Sequence, residues 1–539
     1  MASVVAFSKH TTEAQAVIAQ AGLSPNEVCE VIAECLQLGS QRCSPFELAE
    51  LRHWQVMLST HADERYYHEY AAAWLEELVR DSGLARHREL TDVQDAGARL
   101  MQALSHAQER HLATPEAERV YNPVLAIQYL VHFVAASLAV GVRTSDGRVL
   151  ARLPALLEPF KALSPLINAM WLNASSTYEA TCLCQFEGMR TRFREALPPL
   201  TATAQSDVPT RFVCNALILG LAVLETRLGM ASAEPLIQML DAQVGLVDGL
   251  FLRKIACLAR GDFAGAEQYR RQAELSALQV GARPMLESTL GVELGMCALA
   301  NDLTGVEQVG QRIAALAARA PGWRGYAQLA EGLRLRLCGA LPLAAAALEE
   351  ACALCRPDPN HPEHSALAWP AAISAYIEVE SELGHHSHAR QSGEEALALC
   401  AQLGCGIATF PIRTSLALAE ARSGELAQAA ARLEAVIAEQ KELGIAGLAL
   451  GASYEARTRV AIWAGERAQV EHFGRLTAVE YRHGTSSALA ARYEQLLHEA
   501  AAPGLAELPA LSDVRSTLHR GVPDTESATQ LDVGPRERD

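Results

Sequence analysis

The chain has 539 residues, and 46 basic against 63 acidic side chains leave a formal charge of −17. Half of the residues are hydrophobic and only 20% are charged, which excludes a disordered chain. Sequence-independent affinity for nucleic acid comes from Lys and Arg neutralising phosphate, so the acidic excess argues against such a partner.

From the N-terminus, MASVVAFSKHTTEAQ has no basic segment followed by a long apolar stretch, so no secretory signal is expected. The spacing predicts helices over 11–20, 25–38, 45–59, 63–81, 92–112 and 122–141. Residues 1–120 form a helical region that fits the repeat poorly and is a candidate solenoid cap. His53, Trp54, Tyr66, Tyr67, Tyr70 and Trp74 concentrate aromatics there, in a chain with 5% aromatic residues. Two readings stand: a docking surface, or the aromatic core of an atypical terminal repeat. The longest apolar run, residues 212–224, is too short for the ~20 residues that cross a bilayer. We expect no membrane partner and a cytoplasmic chain. The thirteen cysteines have no framework spacing and read as reduced, buried small residues.

Beyond residue 120 the chain is dominated by strong helix formers. A repeat appears once the turn glycines are aligned. Its anchor is Gly261-Asp262-Phe263-Ala264-Gly265-Ala266, and the frame recurs at Asn301, Gly339, Gly384, Gly424 and Gly465. Weaker copies begin at Gly188 and Gly229. Gly or Asn ends one helix in the left-handed conformation. Asp262, Asp302 and Glu425 then stand where a carboxylate complements the next helix N-terminus. A small residue five positions after the turn (Ala266, Ala344, Ala389, Ala429) lets the paired helices approach closely, and Val306 and Val470 are larger variants. His386 and Arg467 interrupt the apolar position, which predicts less regular hairpins there. First helices are predicted near 245–260, 286–300, 323–338, 367–383, 408–423 and 448–464. Second helices are predicted near 262–280, 302–318, 341–355, 386–402, 425–442 and 466–482. Pro370 and Pro411 fall at first-helix starts, where a missing N–H costs little.

A hairpin cannot bury its apolar face alone, and stacked hairpins can. The expected fold is therefore all-α: a superhelical solenoid of antiparallel helix hairpins with a ~40-residue period. It occupies 121–505 and is clearest over 245–485. Residues 506–539 lose apolar periodicity and read as a disordered tail.

This frame resembles the tetratricopeptide repeat. Its longer step looks like the divergent repeats at the C-terminal end of large bacterial signalling ATPases and serine/threonine kinases. Residues 322–326 (GWRGY) through Glu349-Glu350-Ala351 carry that likeness best, and the resemblance covers about 188–485. It implies protein or peptide binding on the concave face.

No GxxxxGK[ST] loop, kinase catalytic loop, GxSxG elbow or HExxH helix occurs, so we expect neither an enzyme nor a bound cofactor. Cys352 and Cys355 with His361 and His364 have the residue types of a zinc site. They read better as core and connector positions, and no metal is expected. His385, His386 and His388 form a His-rich turn, a possible pH-sensitive patch that reads better as a polar turn. Cys182 and Cys184 point to different helix faces and read as packing.

The expected functional surface is the groove lined by the first helices. Its candidates are Arg253, Glu293, Tyr326, Glu331, Arg334, Tyr376, Glu378, Arg413, Tyr454, Glu455 and Arg457, because Tyr and Arg are typical interface anchors. The expected role is a non-catalytic interaction or regulatory scaffold for a protein or peptide. Alternatives are a ligand- or peptide-responsive signalling sensor, or the detached regulatory half of a multidomain kinase or ATPase. The oligomeric state stays open.

Overall fold

A computed structural model describes residues 134, 138, 141–142, 145–158, 161–162, 165–204, 208–243, 246–280, 289–318, 320–360, 365–481 and 486–501. The region 1–120 with its six aromatic and His candidates, the tail 506–539, and His361 and His364 lie outside the described residues.

Eighteen α-helices and no β-strand occur among the described residues. They are α1 (Gly147–Leu157), α2 (Pro165–Leu183), α3 (Phe186–Ala204), α4 (Val208–Arg227), α5 (Ala233–Gln243) and α6 (Leu246–Ala259). Next come α7 (Phe263–Val280), α8 (Leu290–Leu299), α9 (Leu303–Ala317), α10 (Arg324–Leu337), α11 (Leu341–Cys355) and α12 (Trp369–Glu382). The last are α13 (His386–Leu403), α14 (Thr409–Arg422), α15 (Leu426–Glu442), α16 (Leu448–Ala464), α17 (Arg467–Tyr481) and α18 (Ser487–Ala500). None is long and apolar enough to cross a membrane.

The turn chemistry produces these hairpins. Gly261, Asn301, Gly339, Gly384, Gly424 and Gly465 all have positive φ, between 55° and 92°. Asp262 and Asp302 cap their helices by accepting from Gly265 N–H (2.9 Å) and Gly305 N–H (3.0 Å). Glu425 makes no cap bond and instead accepts from Arg390 at 2.5 Å. The small residues after the turns are buried, with Val306, Ala344, Ala389 and Ala429 wholly inaccessible. His386 and Arg467 leave their hairpins with the same turn geometry, Gly384 and Gly465 having φ of 86° and 71°. The expected irregularity is absent because both residues stand at the first position of their helices, near solvent. Gly188 is a correction: it lies inside α3, and the turn before that helix uses Cys184 at φ 59°. Gly229 does form a turn, between α4 and α5.

The direction of curvature follows from the contacts. Consecutive first helices touch one another across α6, α8, α10, α12, α14, α16 and α18, whereas the second helices contact mainly their own and the following first helix. The layer whose members crowd together is the inner one, so first helices line the inside of the coil.

The coil is tight enough for one turn to rest on another. Sγ of Cys405 donates to Leu183 O (3.4 Å), Gln185 Nε2 to Leu403 O (2.6 Å) and Ala366 N–H to Thr181 O (2.8 Å). These partners are 222, 218 and 185 residues apart (366 − 181 for the last), or roughly five ~40-residue repeats. Farther along, Leu258, Ala259, Met296 and Ala300 share a buried cluster with Leu448, Leu489, Tyr493 and Leu496. Leu448 and Leu489 are 0% and 2% exposed, worth roughly 1.5–3 kcal/mol each. Two glycines allow this seam. A Cβ on Gly229 would lie 2.5 Å from Ala446 O, and one on Gly447 would collide with Ala259 O.

Candidate interaction surface

The eleven groove candidates separate by burial. Glu293, Tyr326, Tyr454, Glu455 and Arg457 are buried, at 1–8% exposure. This corrects the expectation that they face an open groove. First helices touch neighbours on both sides, and the last of them also meet the preceding turn of the coil, so polar residues there are consumed internally.

Their partners show how. Glu293 on α8 accepts from buried Lys254 on α6, from Thr289 Oγ1 (3.0 Å) and from Arg312 (3.4 Å). Tyr326 stacks on Trp323 with ring centroids 4.9 Å apart, and burial raises its phenol pKa. Tyr454 lies 6.2 Å from the Phe473 ring, and the Arg457 guanidinium lies 5.0 Å from the same ring. Arg457 also pairs with Glu434 (2.9 Å) and Glu466 (3.3 Å). Glu455 accepts from Tyr481 Oη (2.6 Å) and Arg492 Nε (2.6 Å), with Arg459 at 2.9 Å. Burial pushes its carboxyl up, but Arg492 and Arg459 outweigh that and hold it below the ordinary value.

The other six candidates remain partly accessible. Arg253 is half-buried on α6. Exposed Glu331 pairs with Arg334 one turn later at 2.7 Å. Tyr376 is half-buried, edge-on to His388 (5.9 Å), and its phenol is pushed up to about 12 by burial, with Glu380 adding to it. Glu378 accepts from Arg336 and from Ser415 Oγ (2.7 Å). Arg413 forms a two-pronged pair with Glu439 at 2.6 and 2.8 Å. These pairs are spread over several hairpins and converge on no single reacting point.

A feature missed from the sequence joins some of them. Glu382, Arg422 and Trp463 each stand two residues before a turn glycine (Gly384, Gly424, Gly465), so stacking brings them side by side on α12, α14 and α16. Glu382 accepts from Arg336 of α10 at 2.8 Å. It lies 4.0 Å from Arg422, whose guanidinium sits 5.5 Å from the Trp463 ring centroid. Nη1 of Arg422 is buried without a hydrogen-bond partner, while Trp463 is 38% exposed. Burial lowers the Arg422 pKa, although Glu382 and Glu378 oppose the shift. A guanidinium carries five donors in a planar fork, and this one leaves part of that capacity unused beside an exposed aromatic.

The cysteine and histidine clusters have local uses. Cys355 is buried and Cys352 half-buried on α11, as expected for core positions. Cys182 and Cys184 are both buried. His385 and His388 each place Nδ1 3.0 Å from Glu380 Oε2, and His386 Nδ1 is 3.4 Å from Ser381 Oγ. No group of three His, Cys, Asp or Glu side chains is arranged to hold a metal among the described residues.

No family model matches the chain. No curated protein matches it either. Among solved structures it is similar to a chain in the crystal structure of APC/C hetero-tetramer Cut9-Hcn1. The TM-score is 0.39 and the identity 11%, over 93% of this chain and 98% of that one. The fold assignment stands on the helices, turns and contacts of this chain.

Proposed function

We propose that this chain is a non-catalytic scaffold that binds a protein or peptide along the inner, first-helix side of its solenoid. The observation that carries the reading is the ladder from Arg336 through Glu382 and Arg422 to Trp463. There a partly exposed guanidinium lies beside an accessible indole. Arg and Trp are the residues that anchor interfaces most often. Glu378 joins this ladder through Arg336, which it shares with Glu382. Nucleic acid is not a partner in this reading, because the chain is acidic. The likeness to repeat regions of bacterial signalling ATPases and kinases suits a regulatory role in the cytoplasm.

The test is capture of partners on the tagged chain, followed by the same capture on Arg422→Gln and Trp463→Ala chains that retain their helical content. A stoichiometric protein lost from both variants supports the reading. A partner retained unchanged by both places its interface elsewhere.

The seam favours a second, responsive version. A ligand that widens the coil must break the contacts at Gly229–Ala446 and Gly447–Ala259, so binding and curvature are linked. Hydrogen exchange at 229–231 and 446–448 would rise on binding in a sensor and stay constant in a passive scaffold.

A further inference from the structure

The turn between α13 and α14 carries chemistry that the scaffold reading does not use. Helix α13 ends at Gly404, in the left-handed conformation (φ 71°), and Cys405 N–H donates back to Cys400 O at 3.0 Å. This is the six-residue closure of a Schellman turn, which brings the side chains at its two ends together. Here both are cysteines. The closure sets the two thiols side by side, and Cys405 Sγ bonds on to Leu183 O at 3.4 Å. The last of these contacts belongs to the seam between successive turns of the coil.

We propose that Cys400 and Cys405 form an intrachain disulfide on exposure to a peroxide, and that this modification loosens the seam at Leu183. The reaction balances as two thiols plus one hydrogen peroxide giving one disulfide and two waters. Cys405 gives up its proton, its thiolate attacks one peroxide oxygen, the O–O bond breaks, and the departing hydroxide takes that proton and leaves as the first water while a sulfenic acid forms. The Cys400 sulfur then attacks the sulfenic sulfur, its proton joins the departing hydroxide, and the second water leaves. Two electrons pass from the sulfurs to peroxide.

The local structure assigns the roles. Cys405 lies in the turn between exposed Gly404 and Gly406, whereas Cys400 lies within α13, so a local opening presents Cys405 first as the attacking sulfur and Cys400 resolves. The neighbouring Cys400 thiol also holds Cys405 below the ordinary thiol range, although burial opposes it. Both are buried, but Gly404 and Gly406 on either side of Cys405 are exposed, so a local opening of this Gly-Cys-Gly turn admits a small oxidant. A disulfide holds its sulfurs about 2 Å apart, which the thiols reach by rotating toward each other. Neither then carries a proton, and the Cys405 donor to Leu183 O is gone. Gln185 to Leu403 O remains as the neighbouring tie.

The experiment treats the reduced full-length chain with hydrogen peroxide, alkylates it with N-ethylmaleimide and maps the peptides by mass spectrometry. The expected result is a linkage between Cys400 and Cys405, two hydrogens lighter and reversed by dithiothreitol. Exposed Cys338 serves as the reactivity control. In Cys400→Ser the resolving sulfur is gone, and dimedone should trap a sulfenic acid at Cys405. Hydrogen exchange over 183–187 should rise severalfold on oxidation of the unsubstituted chain and not in Cys400→Ser. Two outcomes overturn the proposal. One is full alkylation of both cysteines when Cys338 is already oxidised. The other is linkage of Cys405 to a different thiol, such as neighbouring Cys184.

Discussion

The first and second helices of the hairpins are buried very differently. In α16, eleven of seventeen residues are buried, and in α14 nine of fourteen. In their partners the counts are six of fifteen for α17 and five of seventeen for α15. The second helices therefore have one buried face and one wet face. The first helices are enclosed on most sides, by their neighbours in the inner layer and, at the seam, by another turn of the coil. This difference decides where a polar residue is available to a partner. On a first helix, a charge is available only where stacking leaves it unspent.

The largest test of that enclosure is Glu455. It is 1% exposed and holds Arg459, Arg492 and Tyr481. Glu455→Gln removes the charge and leaves two guanidinium groups facing each other, which costs about 3–5 kcal/mol for a broken buried pair. Urea unfolding measures it. A loss below about 1 kcal/mol would mean that the site is wetter than its burial indicates.

Next comes the seam. Gly447→Ala puts a methyl group against Ala259 O at a residue with φ 70°. The left-handed backbone alone costs roughly 1–2 kcal/mol for a residue with a Cβ. The clash must in addition push α16 away from α6. Hydrogen exchange should therefore rise at residues 259–261, while α9 and α11 stay protected. Uniform loosening of every hairpin would show that the seam is no separate element.

How much of this was legible follows from the same contrast. The turn frame at Gly261, Asn301, Gly339, Gly384, Gly424 and Gly465 predicted every helix from α6 to α17 within a few residues. Helix ends are local events, set by a left-handed residue and a cap. The buried Ala and Val positions were legible too, because they recur in phase with the turn. The groove residues were not. Tyr454, Glu455 and Arg457 look like surface residues in the sequence. Their burial arises from contact with α17, α18 and neighbouring helices, which no local pattern encodes. Arg422 and Trp463 went unnoticed for the opposite reason. Their shared offset from the turn glycine is visible, but only the stacking of first helices gives it meaning.

Acid sharpens the distinction without any substitution of the fold. Glu455 and Glu225 are both held below the ordinary carboxylate value: burial raises each, and the arginines around them more than reverse it. Glu225 accepts from Arg190 (2.9 Å), Arg194 (2.7 Å) and Ser232 (2.6 Å). A carboxylate with a depressed folded value lends stability above its unfolded value of 4.5, and that stability is lost as pH falls through the folded value. Unfolding free energy should thus fall steeply below about pH 4.5. The Glu455→Gln chain should show a shallower slope there. An identical slope would assign the acid sensitivity to other groups.

The smallest expected effect separates two residues that looked equivalent in the sequence. Asp302 and Glu425 both follow a turn residue and precede a second helix. Only Asp302 is short enough to bend back and accept from Gly305 N–H, so Asp302→Ala should cost about 1 kcal/mol, the usual value of an N-cap. Glu425 reaches across to Arg390 instead, a half-buried pair worth roughly 0.2–1 kcal/mol. Its loss should be screened by salt, whereas loss of the cap should not, because a backbone donor carries no net charge. Measuring both variants at low and high ionic strength tells the two apart even where their totals coincide. A salt-dependent Asp302→Ala would mean that its carboxylate acts through charge on the helix end and not as a hydrogen-bond acceptor.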